Sequence, residues 1–115
     1  MNRNQRLTRN EDIKRVRQKG QSIARPSVVL GFLPNCFEET RIAVIAGRSV
    51  GGAVQRNLAK RRIRSAIQGM LQEIKPGQDL VLIARKPILE QPYRLLVDTI
   101  RKLLDQAGLM KDDLS

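Results

Sequence analysis

The chain has 115 residues, of which 22 are Lys or Arg and 11 are Asp or Glu, so its formal net charge is +11. This length suits a single domain over residues 1–115, and the charge favours a nucleic-acid partner. No stretch approaches the roughly 20 apolar residues of a membrane span, and the first residues lack the apolar core of a signal peptide. We therefore expect a cytoplasmic protein without a membrane partner, and the absence of Trp disfavours binding to a membrane surface.

Side chains that commonly carry out catalysis are scarce. The chain has no His and a single Cys, which removes the commonest general base, internal disulfides and cysteine-based zinc sites. Cys36 lies among Pro, Asn and Glu residues, which favours a loop position over a nucleophile. Neighbouring carboxylates such as Glu11-Asp12 do not converge on a metal ion. We expect neither catalytic residues nor a metal site on this chain.

The N-terminal part predicts an arm followed by a short basic helix. Residues 1–7 are polar and are expected to be extended. Thr8 and Glu11 have the spacing of a capping box, which predicts a helix from about Arg9 to Lys19. Gly20 is the expected stop.

Two strands are predicted before the middle of the chain. Residues 27–33 carry β-forming side chains on both faces, and residues 41–46 (RIAVIA) are a second strand. We expect these two strands to pair as an antiparallel hairpin. A further short strand fits residues 20–25.

A strongly basic helix follows the glycine-rich residues 47–52, which match neither GxxxxGK[ST] nor GxGxxG and so disfavour a nucleotide site. The predicted helix starts near Ala53 and ends before residues 75–77. From Thr40 to Gln72 there is no Asp or Glu, which disfavours an ordinary solvated helix face. A polar stripe and an apolar stripe follow from the helical period of about 100° per residue. The polar stripe is Asn57, Lys60, Arg61 and Arg64, and the apolar stripe is Ala59, Ile63, Ala66, Ile67, Met70 and Ile74.

The last third predicts a buried strand and a core helix. Residues 79–84 are apolar enough to be covered on both faces. Pro92 is placed as the first residue of a helix that ends at Gly108, and residues 109–115 are expected to fray. The whole pattern predicts an α/β (α+β) two-layer sandwich, with a small mixed sheet of about four strands and three helices.

The stretch AVQRNLAKRRIR resembles the signature of the bacterial ribonuclease P protein subunit, whose central helix carries an Arg-Asn, a Lys-Arg and an Arg in the same register. RLTRNEDIKRV near the start and LIARKP after the third apolar strand agree with the same family. The resemblance implies a ribosomal-protein-S5-domain-2-like fold with a left-handed β-α-β crossover. General topology alone predicts the right-handed form.

The resemblance also implies a function and its sites. The chain would be the protein cofactor of ribonuclease P, which removes the 5′ leader from precursor tRNA. The RNA subunit would be the catalyst, with Mg²⁺ held mainly by that RNA and the substrate. The implied partners are the RNA subunit and precursor tRNA, and no obligate protein partner is evident. The residues implied to bind the catalytic RNA are Arg48, Arg56, Asn57, Lys60, Arg61 and Arg64. The leader would lie in a cleft between the first helix and the sheet, at Arg9, Ile13, Arg17, Val29, Gly31, Arg85 and Lys86.

The sequence departs from the family pattern at several of these positions. Leu58 stands where the family typically has Arg, which removes one phosphate contact. Ile13, Arg17 and Gly31 occupy positions that are usually aromatic in the cleft, and aromatic residues make up only 3% of the chain. Leader binding is then expected to depend on positive charge. Arg62 lies off the polar stripe, towards either another RNA strand or solvent.

Other functions share part of this pattern. A structural RNA-binding protein of the ribosome or of an assembly pathway would show the same charge and elements. A stand-alone nuclease is disfavoured by the missing His and the lack of convergent carboxylates, and a DNA-binding protein by the lack of helix-turn-helix spacing. Leader removal in a reconstituted ribonucleoprotein distinguishes the cofactor from these alternatives.

Overall fold

A computed structural model describes residues 5–111. These residues form three helices and four strands, and single turns of 3₁₀ helix lie at Leu71–Glu73 and Lys86–Leu89. In chain order the main elements are α1 (Asn10–Lys19), β1 (Gln21–Ala24), β2 (Val28–Pro34), β3 (Arg41–Ala46), α2 (Ala53–Gln68), β4 (Gln78–Ala84) and α3 (Tyr93–Gln106). Each helix and strand expected from the sequence is therefore found, and the α+β class is confirmed.

The strands form one mixed sheet in the order β1-β2-β4-β3. β4 pairs antiparallel with β2 and parallel with β3, so the predicted hairpin between β2 and β3 is wrong. The reason lies in β4, whose Leu80, Val81 and Leu82 have no exposed surface. A strand that is apolar on both faces is best covered in the middle of a sheet, where it separates β2 from β3.

The parallel β3-α2-β4 unit has a left-handed crossover. Arg85 N donates to Ser27 O, so the odd-numbered residues of β4 direct their backbone polar groups towards β2. Ile83 is one of these residues, and its side chain packs on the α1 face. For an L-residue this places β2 to the right of β4 when the sheet is viewed from α1 with β4 running upward. Seen from α2, the chain then passes leftward from β3 to β4, against the usual right-handed preference.

The two faces of the sheet carry separate apolar clusters. The larger cluster joins α2 and α3 to the sheet, and its members include Ile63, Leu82 and Ile100. The smaller cluster lies on the opposite face, where Val16 of α1 and Leu7 pack against the sheet. Of the helices within residues 5–111, α1 is therefore the one that packs on this face.

Three helix boundaries differ from those predicted. Arg9, and not Thr8, is the N-cap of α1, and no side chain caps the helix. Leu7 is buried and its N–H donates to Ile42 O at 2.9 Å, which holds the chain against β3 instead of in a capping box. α2 ends at Gln68 because Gly69, a poor helix former, follows it; the chain then makes a separate turn that still buries the predicted core residue Ile74. Pro92 is the N-cap of α3 and not its first residue.

The segment after α3 is packed as far as the structure describes it. Leu109 is buried, and Lys75 N donates to Leu109 O while Lys111 N donates to Glu73 O, both at 2.7 Å. The predicted fraying is therefore wrong for residues 109–111. Residues 112–115, and residues 1–4 of the predicted arm, lie outside the described part.

Candidate RNA-binding surface

The core fixes which face of α2 is presented. Ala59, Ile63, Ala66 and Ile67 are buried against the sheet, as the apolar stripe predicted. The polar stripe then turns to solvent: Asn57, Arg61 and Arg64 are exposed, and Lys60 is half-buried. Because the buried stripe sets the rotation of the helix, the basic side chains are held on one face.

The positive charge of this face is not neutralised within the described residues. Six side chains make up the face, and within residues 5–111 none of them forms a hydrogen bond or an ion pair. These basic-face residues are Arg48, Arg56, Asn57, Lys60, Arg61 and Arg64. Since like charges at helical spacing repel each other, an anion would relieve an existing electrostatic cost. The uncapped N-terminal end of α2, at Gly52, adds to the positive potential.

Glycine allows α2 to start close to the end of β3. Gly51 has φ +147, and a Cβ there would lie 2.9 Å from Gln55 Cβ. The adjacent Val50 is 1% exposed and anchors the loop in the core. Arg48 is thereby held in an exposed position just before the basic helix.

Arg62 has a structural contact that the sequence did not predict. Its Nη2 donates to the backbone O of Gln91, which lies just before α3. Its Nε is buried without a partner in the described part of the chain. Arg62 therefore ties α2 to the start of α3, apart from the basic face.

On the other face of the sheet, α1 lies directly over Gly31. A Cβ at Gly31 would meet Val16 Cγ1 at 3.6 Å, and Gly31 is buried. This residue is therefore covered by the helix, with room for ordinary van der Waals contact between them. Arg9 and Arg17 are exposed on α1, and Ile13 is half-buried in the smaller cluster.

A row of apolar side chains beside α1 is only partly covered. The strand register places Val29, Ile83 and Ile45 side by side across β2, β4 and β3, and each is half-buried. At about 100° per residue, Ile13 and Arg17 lie on one side of Val16, and this side faces the row. We call Val29, Ile83 and Ile45 the cleft floor. Only Val29 was predicted, because Ile45 and Ile83 become neighbours through the β3-β4 pairing.

The opposite side of α1 is tied to the far end of the sheet. Asp12 lies 3.5 Å from Arg41, whose guanidinium also forms two hydrogen bonds to Asp79, at 2.9 and 2.7 Å. Asp79 is 3% exposed, and its bond raises the pKa of Arg41 above the ordinary value, against the lowering effect of burial. The Arg41 Cζ also stacks 4.5 Å from the centre of the Phe37 ring. This network ties the N-terminal half of α1 to the starts of β3 and β4.

The cleft and the basic face meet at one edge of the sheet. Because β3 and β4 are parallel, their carboxyl ends lie together. Arg48 follows β3, and Arg85 and Lys86 follow β4, and all three are exposed. The predicted RNA contacts on the two faces are therefore joined by a basic rim.

The described residues offer no donor set for Mg²⁺: within residues 5–111 no three His, Cys, Asp or Glu side chains converge on a point that could hold a metal ion. In the same part of the chain, no helix is long and apolar enough to cross a membrane.

Comparison with known proteins finds ribonuclease P proteins by sequence and by fold. A sequence model of the family described as Ribonuclease P matches residues 1–108. The chain is similar to the ribonuclease P protein component of Chloroflexus aurantiacus, with 40% identity over 111 residues that cover 96% of this chain and 82% of the relative. It is also 35% identical over 112 residues to that of Bacillus mycoides, covering 96% and 97% of the two chains.

Solved structures agree with this comparison. The Staphylococcus aureus RNase P protein matches with a TM-score of 0.83 and 26% identity, over 93% of this chain and 98% of the other. The Thermotoga maritima RNase P protein matches with a TM-score of 0.79 and 26% identity, over 88% and 96%. By sequence and by fold, the chain belongs to the family of ribonuclease P protein components.

Proposed function

We propose that this chain binds the catalytic RNA of ribonuclease P and the 5′ leader of precursor tRNA in the cytoplasm, and so promotes Mg²⁺-dependent removal of the leader. In this proposal the RNA subunit carries out the hydrolysis, and Mg²⁺ is held by the RNA and the substrate. The observation that supports it most is the basic face of α2, whose charges have no partner among residues 5–111.

Phosphates of the catalytic RNA would bind along α2. Arg56, Arg61 and Arg64 can each donate forked hydrogen bonds to phosphate oxygens, and Lys60 acts as a point charge. Asn57 adds a neutral donor between them. Because each neutralised phosphate releases counterions, binding should weaken with salt by about 0.7 to 0.9 log units per phosphate and per log unit of salt.

The leader would follow the cleft beside α1. Its phosphates would meet Arg17 and the basic rim at Arg85 and Lys86, which are all exposed. Its bases would lie on the aliphatic cleft floor, which excludes water but offers no aromatic ring for stacking. An apolar floor without hydrogen-bond donors does not distinguish one base from another, so we expect leader binding with little sequence preference.

Reconstitution with a bacterial ribonuclease P RNA tests the proposal. At Mg²⁺ concentrations too low for the RNA alone, adding the protein should restore removal of the leader from precursor tRNA. Protein without the RNA should cleave nothing. Tight binding to the RNA without restored cleavage would instead indicate a structural RNA-binding protein, and cleavage by protein alone would indicate a nuclease.

A further inference from the structure

A row of exposed apolar side chains borders the basic face of α2. Within residues 5–111, five large apolar side chains are exposed, and three of them lie along this border. They are Val54 at 76%, Leu58 at 40% and Tyr93 at 44% exposure. We call these three residues the apolar row.

The contacts of α2 show where the row lies. At about 100° per residue, Val54, Leu58 and Ser65 fall on the side of the polar stripe that faces α3. Ser65 Oγ and Tyr93 Oη share a hydrogen bond of 2.8 Å, which holds the Tyr ring against this side of α2. Ser65 is one helical turn after Arg61, so the ring stands beside the basic face.

The charge of the surroundings indicates the occupant. Arg61 and Arg64 flank the row from the basic face, and Arg94 is exposed next to Tyr93. A second copy of this chain, with a net charge of +11, would be repelled here. A single RNA strand carries both groups that the surface accommodates: phosphates for the cations and flat bases for the apolar side chains.

We propose that unpaired bases of the bound RNA pack on the apolar row while the phosphates of the same strand contact the basic face. Tyr93 stacks on one base, and Leu58 and Val54 cover others by apolar contact. Leu58 stands where the family typically has Arg, and base packing on the row compensates for the phosphate contact that this Arg would make. This inference rests on the proposed function, because it needs RNA on α2.

The salt dependence of binding separates base contacts from phosphate contacts. Affinity for a bacterial ribonuclease P RNA is measured from 50 to 400 mM salt, roughly the range in which phosphate contacts dominate. Tyr93→Ala and Leu58→Ser should each weaken binding roughly 5- to 100-fold without changing the salt slope. Arg61→Ala should weaken binding and also lower the slope by about 0.7 to 0.9.

Two controls separate the Tyr ring from the fold. Tyr93→Phe keeps the ring and removes the bond to Ser65, so it should bind within about twofold of the parent chain if stacking is the contact. Leu95→Ser removes a side chain of the same 44% exposure from the same helix, outside the row, and should leave binding unchanged. Tyr93 is the single Tyr and there is no Trp, so quenching of the protein's emission by RNA reports on this ring directly.

Unchanged affinity in Tyr93→Ala and Leu58→Ser, with a loss in Arg61→Ala, would overturn the base-packing proposal and leave RNA binding by α2 intact. Unchanged affinity in all three variants would contradict the proposed function itself. Sedimentation of the free protein tests whether a second copy of the chain occupies the row instead. If the free protein is a dimer and Leu58→Ser dissociates it, the row is a self-association surface and the proposal is overturned.

Discussion

The two faces of the sheet hold their helices in different ways. On one face, α2 buries Ala59, Ile63, Ala66 and Ile67, packs beside α3, and is tied to the segment before α3 by Arg62. On the other face, α1 buries Val16 alone among its own residues. Since each fully buried Val or Ile side chain contributes about 1.5–3 kcal/mol, Ile63 and Ile67 alone stabilise α2 about twice as much as Val16 stabilises α1, and the buried alanines and Arg62 add to this.

This difference suits two kinds of RNA contact. A helix fixed by many buried residues presents its charges in a constant geometry, which favours a structured RNA with phosphates at defined positions. A helix held by few contacts opens locally at lower cost, which favours a cleft that accepts single strands of varied sequence. If the contrast holds, changes on α2 should affect binding of the RNA subunit, and changes around α1 should affect binding of the leader.

Removing four charges from α2 should nearly abolish RNA binding. In the variant with Arg56, Lys60, Arg61 and Arg64 all changed to Ala, four phosphate contacts are lost. At 0.15 M salt the affinity for a ribonuclease P RNA should fall about 10³-fold, and the salt slope should drop by roughly 3 to 4. Filter binding over a salt series measures both quantities.

The matched control removes the same number of charges elsewhere. Lys19, Lys75, Lys102 and Lys111 are exposed and lie outside the basic face and the apolar row. Changing these four to Ala lowers the net charge equally, so a comparable loss of affinity would mean that overall charge, and not the face of α2, binds the RNA.

A single methyl group at Gly20 should disturb the α1 side alone. A Cβ there would lie 2.4 Å from Phe32 O and 2.5 Å from Val16 O, and backbone atoms of this kind cannot easily move. Gly20→Ala should lower the free energy of unfolding by roughly 1–3 kcal/mol and weaken the leader-dependent part of substrate affinity. Affinity for the RNA subunit should be unchanged, because α2 lies on the other face.

Gly47→Ala is the control for this prediction, since a Cβ there meets nothing within 4 Å. Thermal unfolding and binding of precursor tRNA with and without its leader measure the two effects. If Gly20→Ala weakened binding of the RNA subunit and of the leader equally, the two faces of the sheet would be coupled. Such a result would contradict separate roles for α1 and α2.

The basic face could be predicted from the sequence because all of its determinants lie within one helix. Charge, missing carboxylates and the spacing of Ala59 and Ile63 are local features, and the structure confirms the side that they bury. The direction of Arg62 could not be predicted, because it depends on the carbonyl of Gln91, 29 residues away.

The cleft floor was beyond prediction for a different reason. Ile45 and Ile83 become neighbours only when β3 pairs with β4, whereas the expected hairpin placed β3 beside β2. Side-chain alternation along one strand is sufficient to place Val29 and Gly31 on the same face, and both lie on the α1 side of the sheet. It does not determine which strands are adjacent, and a continuous apolar strand such as β4 was the available signal for the centre of the sheet.

Restoring aromatic side chains to the cleft should tighten leader binding. Ile13→Phe places a ring beside the cleft floor, and stacking on one leader base should raise the affinity for precursor tRNA about 10-fold. Affinity for mature tRNA should not change. Lys14→Phe adds the same ring at an exposed position of α1 that does not face the floor, and a similar gain there would place the leader outside this cleft.

The smallest effect is expected from the tether of α1. Asp12→Asn removes its ion pairs with Arg41 and with Arg15 of the same helix, and it leaves the Arg41–Asp79 hydrogen bonds in place. Partly exposed pairs of this kind contribute about 0.2–1 kcal/mol, so the free energy of unfolding should change little. Because the Arg41 pair ties α1 to the start of β3, its loss should raise amide exchange in α1 and lower leader affinity a few-fold, roughly as expected for 1 kcal/mol. Glu73→Gln removes the exposed pair with Arg101 on the α2 side, and it should change neither amide exchange in α1 nor leader affinity. If the two variants behave alike, the Asp12 tether has no part in shaping the cleft, and the position of α1 depends on Val16 and Gly20.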